Sequence, residues 1–326
     1  MGEFLAELFD APVRVDGVEF LSAGARRRNV AFTAEIGGVG ARRMVATIVP
    51  PAVELVSVAA EAAVRELVRA QGVPVPETVG VCEDSARLGA PFLISDFVDG
   101  ETVPRRVLRL LAAGRNADAV ASEWGAAMGA LHTLDPAAAP EALPAAGADP
   151  AREVLAEAEQ GVRALLGGRE VFAFALRWLE RRLPAPPPRP VLLHTDCRNG
   201  NLVVGPGGLR AVLDWEGAQR FGDPMRDLAW PALRMWRFGV DDKEFGGFAG
   251  RSAFVAGYES AGGVFDPDRF RWWKVMGTLA WGGGLAGQAA AHCDGTVRDI
   301  VMAASGRRVP EIEWDLLMQL RPDAKA

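Results

Sequence analysis

The chain has 326 residues, of which 49% are hydrophobic and 24% charged, so it can bury a sizeable core behind a polar surface. Its formal net charge of −6 argues against nucleic acid as a partner, because nucleic-acid-binding proteins usually present an excess of basic residues. Three widely spaced cysteines favour neither a disulfide framework nor a zinc site and suit the reducing cytoplasm. The glycine-rich apolar stretch 275–291 is short and contains Gln288, so we expect a buried helix and no membrane span.

The first hundred residues read mainly as strands separated by glycine-containing turns. Alternating or β-branched runs predict five strands, at residues 14–24, 28–36, 42–50, 77–84 and 90–100. Between the third and fourth of these, apolar residues at helical spacing predict one helix, which begins at Ser57 and ends at Gly72. This order predicts a small, mainly antiparallel sheet with one main helix against it.

After Gly100 the pattern becomes helical. Helices are predicted at residues 116–134, 150–166 and 169–182, and again over most of the chain from residue 224 to the end. The prolines of residues 183–190 forbid a helix and predict an extended connection. We therefore expect an α+β protein with two domains, a small lobe at residues 1–98 and a larger helical lobe at residues 99–326.

A polar cluster surrounds two short apolar runs near residue 200. The sequence has the form His-x-Asp-x-x-x-x-Asn over residues 194–201, and Asp214 follows Asn201 after thirteen residues. The runs 202–204 and 209–213 flank a Gly-Pro-Gly-Gly turn, so a hairpin would bring Asn201 and Asp214 to the same end of the sheet. Their oxygens suit Mg²⁺, which takes few protein ligands and fills the rest with phosphate and water. Asp196 is then placed to orient a substrate hydroxyl or accept its proton.

These motifs resemble the aminoglycoside phosphotransferase (APH) family of kinase-like proteins. The residues that carry the resemblance are His-Thr-Asp-Cys-Arg-Asn-Gly-Asn at 194–201, Asp-Trp-Glu at 214–216 and Gly-Asp-Pro-Met-Arg-Asp-Leu-Ala at 222–229. Stretches around residues 61–77, 89–101 and 271–292 are similar to the subgroup related to the kinase-like domains of some acyl-CoA dehydrogenases. The resemblance implies a bilobal protein-kinase-like fold.

The resemblance also implies an activity. The protein would use Mg²⁺ and transfer the γ-phosphate of ATP, or of GTP, to a hydroxyl group of a small molecule or peptide. It is expected to act in the cytoplasm as a monomer or homodimer.

Carried onto this sequence, the family's motifs assign the following roles. Asp196 is the catalytic base or the residue that positions the hydroxyl, and Arg198 lies near the transferred phosphate. Asn201 and Asp214 hold Mg²⁺. Glu61 is the helix glutamate of the kinase ion pair, the backbone of Asp96 and Val98 in the hinge at 95–98 pairs with adenine, and residues 24–32 cover the nucleotide.

Several nearby residues have structural interpretations. His194 and Asp227 are expected to brace the catalytic loop, Cys197 to pack, and Glu216 to do either. The arginines at 26–28 form a solvated turn or contact phosphate, and the two interpretations stand about even. The tryptophans at 230, 236, 272, 273 and 281 are mostly core residues, of which one or two line an acceptor pocket.

The strand that should carry a phosphate-binding lysine lacks one. Alignment of residues 45–48 with the kinase pattern Val-Ala-Ile-Lys puts Ile48, or Thr47 after a shift of one residue, in place of the cation. The only lysines are Lys243, Lys274 and Lys325, so the small lobe at residues 1–98 contains no lysine. Thr195 also stands where the family usually has glycine.

Three explanations compete for the missing cation. Arg43 or one of Arg26–Arg28 reaches the phosphates, the protein uses a different or weakly bound donor, or it is a catalytically silent binding module. A further open point is the acceptor, for which the acidic segment 240–245 is a weak candidate binding site for polycationic antibiotics.

Overall fold

The computed structural model describes residues 1–21, 27–114 and 116–322 of the chain. Its N-terminal part is a five-stranded sheet in the order β1-β2-β3-β5-β4, with every neighbouring pair antiparallel. The strands are β1 (Val13–Phe20), β2 (Arg28–Ile36), β3 (Gly40–Ile48), β4 (Thr78–Cys82) and β5 (Phe92–Asp96). The five predicted strands are confirmed, although β1 ends at Phe20.

Alternation along β2 and β3 places one face of the sheet in a small core. Phe32, Met44 and Ile94 are buried together on that face. A short helix, α1 (Gly2–Phe9), covers it with Leu5, and its Phe4 ring meets Phe92 edge-on at 5.2 Å between ring centroids. This helix was not predicted, because eight residues give too few turns for a clear helical period.

The helix of this lobe, α2 (Val58–Ala70), has the predicted ends. The amide of Ala60 donates to Ser57 Oγ at 3.1 Å, which caps the first turn. Gly72 has a φ of +89°, which stops the helix in a left-handed turn. Glu61 lies in the first turn of α2 and is buried, so a carboxylate faces the interior of the protein.

The rest of the described chain is mainly helical, as predicted. Its helices are α3 (Pro104–Gly114), α4 (Ala117–Thr133), α5 (Pro150–Leu165), α6 (Glu170–Arg181), α7 (Pro224–Ala229), α8 (Arg251–Ser260), α9 (Pro267–Cys293), α10 (Ile300–Ser305) and α11 (Val309–Leu320). Two small antiparallel pairs accompany them, β6 (Val191–Leu193) with β9 (Gln219–Gly222), and β7 (Leu202–Gly205) with β8 (Gly208–Val212). Helix α3 and strands β6 and β9 were not predicted.

A large hydrophobic core runs through the helical part and reaches back to α2. Val64 and Val68 of α2 share this core with Trp124 of α4 and Trp272 of α9. The predicted domain boundary after residue 98 falls in the stretch that joins β5 to α3. The predicted α+β class is confirmed. Within the described residues, no helix has the length and apolarity needed to cross a membrane.

Candidate functional site

A buried histidine, His194, supports the loop between β6 and β7. His194 Nε2 lies 3.0 Å from the carbonyl oxygen of Leu213, and its Nδ1 lies 3.2 Å from the amide nitrogen of Asp196. One ring nitrogen therefore faces an acceptor and the other a donor, which fits the neutral form protonated at Nε2. The ring also packs on Trp215, 4.5 Å away between centroids. His194 thus joins the loop to the end of β8.

Asp227 of α7 braces the same loop through its backbone. It accepts hydrogen bonds from the amides of His194 and Thr195, both at 2.7 Å, and lies 3.3 Å from His132 Nε2. Burial would raise the pKa of Asp227, but the hydrogen bond and charge interaction with His132, together with the hydrogen bond from the amide of His194, outweigh it, and the pKa lies below its ordinary value. The carboxylate therefore stays ionised and fixes the start of the loop.

Thr195 has a left-handed backbone. Its φ is +70°, a region that β-branched residues rarely adopt and glycine adopts freely. Its hydroxyl donates to the carbonyl oxygen of Gly217 at 2.8 Å, while its amide donates to Asp227. The threonine that replaces the family's glycine therefore keeps the turn and adds a tether to the segment after β8.

The carboxylate of Asp196 is bound by three side chains. Its Oδ1 accepts from Arg198 Nε at 3.0 Å and from Trp230 Nε1 at 2.6 Å, and its Oδ2 accepts from Asn201 Nδ2 at 2.9 Å. One third of the Asp196 side chain remains exposed. The guanidinium of Arg198 lies over Trp236, 4.3 Å from the ring centroid. Asp196 is thus fixed in direction and still open to a substrate on one side.

Trp230 is a site residue that sequence reasoning missed. It begins the 3-10 turn Trp230–Ala232 directly after α7, three residues after Asp227. Residues three apart on helical backbone lie on the same face, so the spacing from Asp227 could have placed Trp230 beside the catalytic loop. Sequence reasoning treated the tryptophans mainly as core residues.

The β7–β8 hairpin has the predicted register. Leu202 pairs with Val212, and the amide of Leu213 donates to the carbonyl oxygen of Asn201 at 2.8 Å. Asn201 therefore directly precedes the paired residues and Asp214 follows them, so both lie at one end of the hairpin. Both side-chain hydrogen bonds of Asn201 use its Nδ2, so the amide oxygen is the atom of this side chain that could hold a metal ion.

Asp214 lies where negative charge accumulates. Burial raises its pKa, Arg27 acts against that shift, and the carboxylates of Asp196 and Glu61 add to it. An added cation would relieve this repulsion. The described residues contain no group of three or more metal-binding side chains, but Mg²⁺ bound with a nucleotide needs only one or two protein ligands. The amide oxygen of Asn201 and the carboxylate of Asp214 fit that requirement.

Arg27 is the cation that pairs with Glu61 in this lobe. Its side chain is 8% exposed, and its Nη1 lies 2.8 Å from Glu61 Oε2 and 3.7 Å from Asp214 Oδ1. Its Nε forms a close ion pair with Glu216. One guanidinium therefore contacts carboxylates from α2, from the end of β8 and from the following turn.

The register of the sheet explains this substitution. Arg28 pairs with Ile48 across β2 and β3, so Arg27 emerges beside the end of β3, next to the strand position that lacks a lysine. Of the three neighbouring arginines, Arg28 is exposed, and Arg26 lies outside the described residues, as does the part of the predicted nucleotide-covering loop at 24–26.

The predicted hinge is held by arginines of β3. Arg42 donates two hydrogen bonds to the Asp96 carboxylate, at 2.6 and 2.8 Å, and the amide of Asp96 donates to the carbonyl oxygen of Glu77. Arg43 lies over the Phe97 ring, 3.6 Å from its centroid, and 3.9 Å from Asp99. Arg43 therefore lies at the hinge, whereas Glu61 is paired with Arg27.

Cys197 and the acidic segment 240–245 make contacts that indicate structural roles. Burial raises the pKa of the Cys197 thiol far above its ordinary value, and Trp124 Nε1 lies 3.0 Å from the sulfur, so this cysteine packs as a neutral thiol. In the acidic segment 240–245, Glu244 is bound by Arg251 and Lys274. Burial opposes its ionisation, but these two cations lower its pKa to about 2. Glu244 is therefore neutralised by the protein itself.

Comparison with known proteins gives one family and one fold. Residues 17–273 match the family described as APH, the phosphotransferase enzyme family. Over 165 residues, half of this chain, the sequence is 30% identical to acyl-CoA dehydrogenase family member 10 of Mus musculus. The match spans 15% of that protein's length.

Solved structures resemble the whole chain. A candidate aminoglycoside phosphotransferase from Ralstonia eutropha has a TM-score of 0.72 at 20% identity, covering 98% of this chain and 96% of its own. A thermostable mutant of the aminoglycoside phosphotransferase APH(4)-Ia, in complex with ADP and hygromycin B, has a TM-score of 0.58 at 20% identity, over 97% and 98%. An aminoglycoside phosphotransferase in complex with GDP and kanamycin has a TM-score of 0.64 at 16% identity, over 96% and 97%. The predicted kinase-like fold is confirmed.

Proposed function

The chain belongs to the APH phosphotransferase enzyme family, and from this membership and its site we propose that it transfers the γ-phosphate of ATP to a hydroxyl group of a small molecule or peptide. GTP is the alternative donor, and the cytoplasm is the proposed location. The observation that carries the proposal is the grouping of Asp196, Asn201 and Asp214 at one end of the β7–β8 hairpin. These polar side chains contribute little to packing there, and their chemistry matches phosphoryl transfer.

In the proposed reaction, the acceptor hydroxyl oxygen forms a bond to the γ-phosphorus. The bond between that phosphorus and the oxygen bridging to the β-phosphate breaks, and ADP leaves with the bonding electron pair. The hydroxyl proton passes to Asp196. Trp230, Arg198 and Asn201 aim this carboxylate, so most of the rate gain comes from positioning.

Asn201 and Asp214 would hold Mg²⁺ together with the phosphates of the nucleotide. When bound, the ion would neutralise negative charge on the phosphates. Burial is the main cause of the raised pKa of Asp214, with smaller contributions from Asp196 and Glu61, and a bound cation would favour the ionised carboxylate there.

Arg27 takes the place of the strand lysine in this proposal. It pairs with Glu61 as the lysine would, and its buried Nη2 has no hydrogen-bond partner among the described residues. A buried guanidinium donor without a partner costs stability unless a ligand satisfies it. A phosphate oxygen is the acceptor that this geometry favours, because guanidinium groups bind phosphate well. Arg198, 24% exposed beside Asp196, would meet the phosphate on its way to the acceptor.

At the hinge, Asp96 and Val98 would present backbone groups to the base of the nucleotide. Since the amide of Asp96 is bound to Glu77, its carbonyl is the group left for adenine. Arg43 covers Phe97 and would line the same end of the nucleotide site.

Two titrations test the proposal. ATP is titrated by calorimetry with and without Mg²⁺, first into the parent protein and then into Asp214→Ala. We expect Mg²⁺-dependent binding to the parent and at least a tenfold loss in the variant. No binding by either protein would favour the alternative, a catalytically silent binding module.

Turnover tests the role of Asp196. ADP release is measured over a panel of hydroxyl compounds for the parent and for Asp196→Ala. We expect a loss of about 10²–10⁴-fold in the variant, the usual range for a general base. ATP binding should remain within twofold of the parent. Turnover that survives the substitution would remove Asp196 from the proposed role.

A further inference from the structure

A cavity of about 230 Å³ lies next to the catalytic loop. Its walls include three tryptophans, Trp230, Trp273 and Trp281, with Met276 of α9 and with Thr195 and Arg226 near the loop. The sequence predicts that one or two of these tryptophans line an acceptor pocket, but not which compounds that pocket takes. The volume is somewhat below the about 300–1,000 Å³ of most ligand pockets, but aromatic walls with few polar groups are typical of small-molecule sites.

The cavity is connected to Asp196 by direct contacts. Trp230, one of its walls, donates to Asp196 Oδ1 at 2.6 Å, and Thr195 precedes Asp196 in the chain. Asp196 is not itself a lining residue, so a molecule held in the cavity must extend its hydroxyl group past Trp230 or Thr195 to reach the carboxylate. None of the lining residues belongs to the elements that carry Arg27, Glu61 and the hinge, so the cavity lies away from the proposed nucleotide side.

Two of the lining indoles, Trp230 and Trp281, form a cluster with Trp236, which does not itself line the cavity. The centroids of these three rings lie 5.3–6.0 Å from one another. The indole Nε1 atoms of the lining residues Trp273 and Trp281 are buried and have no hydrogen-bond partner among the described residues. Trp273 as a whole is 2% exposed. Buried N–H groups are nearly always paired in folded proteins, so these two donors favour a ligand with oxygen acceptors.

The residues that line the cavity disfavour acceptors with several ammonium groups. Among its lining residues, Arg226 is the one that is ionised at neutral pH, and none is acidic. Arg226 donates to Gln219 at 2.7 Å, and Asp227 and Glu157 lie near enough to act on it electrostatically. Asp227 is already bound by two loop amides. Although an indole face can hold a single cation, an acceptor with several ammonium groups would meet the Arg226 guanidinium with no lining carboxylate to offset the repulsion.

We propose that this cavity is the acceptor site, and that it takes an alcohol with a planar apolar body and oxygen acceptors but no ammonium group. The inference rests on the proposed phosphoryl transfer for its chemistry and on the cavity alone for the class of compound. It predicts that polycationic aminoglycosides are poor ligands, even though structural neighbours were solved with them.

Calorimetry with two probes tests the inference. 2-(1-Naphthyl)ethanol has a planar body and one hydroxyl, and kanamycin is a polyamine. We expect the naphthyl alcohol to bind the parent protein with a negative heat-capacity change, and kanamycin neither to bind nor to compete. Absence of naphthyl alcohol binding, or tighter binding of kanamycin, would overturn the inference.

Matched tryptophan variants locate the binding. Trp281→Ala should raise the dissociation constant for the naphthyl alcohol at least tenfold. Trp281→Phe, which keeps an aromatic wall, should raise it less and guards against a simple folding defect. Trp314, 59% exposed on α11, supplies the control, because Trp314→Ala should leave binding unchanged. Equal losses at both tryptophans, or none at Trp281, would contradict the assignment.

Phosphorylation separates this inference from the proposed function. If the naphthyl alcohol binds in the cavity while no acceptor is ever phosphorylated, the cavity assignment stands and the proposed transfer fails. If kanamycin is phosphorylated and the naphthyl alcohol does not bind, the transfer stands and the acceptor class is wrong.

Discussion

The two halves of the site hold their carboxylates in different ways. Around the catalytic loop, Asp196 accepts hydrogen bonds from an indole, an amide side chain and a guanidinium, and Asp227 of α7 accepts two from backbone amides of the loop. On the nucleotide side, a single guanidinium, that of Arg27, contacts Glu61, Asp214 and Glu216. The loop thus spreads its support over many groups, whereas the nucleotide side concentrates it in one residue.

This difference indicates which supporting residues of the site can be supplied from another position in the sequence. Most of the loop donors, namely Arg198, Asn201 and the amides of His194 and Thr195, lie within one motif and are recognisable in order along the sequence, whereas Trp230 comes from a distant segment. A cation in the nucleotide lobe must only reach Glu61, and a neighbouring strand can deliver it equally well. The following four changes test this contrast, from the largest expected effect to the smallest.

Asp227→Asn tests the support of the loop between β6 and β7. It should destabilise the protein by about 3–5 kcal/mol at neutral pH, because two loop amides and His132 lose a buried carboxylate. The folded pKa of Asp227 is depressed, so its contribution is present above the unfolded pKa of about 3.9 and is lost as pH falls through the lower folded value.

Urea denaturation at several pH values measures this change. Asp242→Asn, at an exposed position, is the control and should shift stability by less than about 0.5 kcal/mol. A difference between Asp227→Asn and the parent that does not shrink at acidic pH would show that the charge of Asp227 is not what braces the loop.

Arg27→Ala tests the concentrated side. We expect Mg²⁺-ATP affinity to fall by about 10²-fold, near 2.7 kcal/mol, because the removed guanidinium both binds phosphate and pairs with Glu61. Arg28→Ala is the matched control, since Arg28 is the next residue and is exposed, and it should change affinity less than twofold. Titration with a fluorescent ATP analogue measures both.

A double-mutant cycle sharpens the assignment of Arg27. If Arg27 and Glu61 act as a pair, the effects of Arg27→Met and Glu61→Gln on stability will not add, and the double variant will be more stable than their sum predicts. Equal effects of Arg27→Ala and Arg28→Ala on ATP affinity would mean that the nucleotide side has no single supporting residue.

Trp230→Phe removes one of three donors from Asp196. We expect a fall in kcat of about tenfold, or about 1.4 kcal/mol, near the lower end of the about 1.5–3 kcal/mol of a hydrogen bond to a charged group, with nucleotide affinity unchanged. Steady-state kinetics of ADP release measures it. A loss as large as that of Asp196→Ala would show that support in the loop is not distributed.

Substitutions of Thr195 should change stability least, and they test which of two variants is the more stable. At a φ of +70°, glycine is free of strain and alanine is not, and both lack the hydroxyl bond to Gly217. Thr195→Gly should therefore be more stable than Thr195→Ala by about 1 kcal/mol, the reverse of the usual order. Thermal unfolding of the two variants compares them directly. Alanine above glycine would mean that the loop relaxes out of the left-handed turn.

Much of the molecule could be predicted from the sequence, for physical reasons. The five strands of the first sheet alternate clearly, and the helix after Ser57 has a capping residue and a glycine stop. The grouping of Asn201 with Asp214 followed from the two short apolar runs on either side of a turn. Such local signals need no knowledge of distant contacts.

The remaining features depend on contacts between distant segments. Arg27 could be considered only as one of three adjacent arginines, because its choice depends on the register of β2 against β3. Trp230 looked like a core residue, since its bond to Asp196 joins segments 34 residues apart. The short helices α1 and α3 take their stability from packing more than from a long helical period.

The position of Arg27 makes one charge common to two elements, helix α2 and the end of β8. Because it contacts Glu61 of α2 and Asp214 at the end of β8, a shift of α2 would change the charge felt by Asp214, and a cation arriving at Asp214 would loosen or redirect the hold on α2. Such coupling is reciprocal by thermodynamic necessity. Occupation at Asp214 would therefore be sensed by the orientation of α2, through one arginine and without a relay of intervening residues.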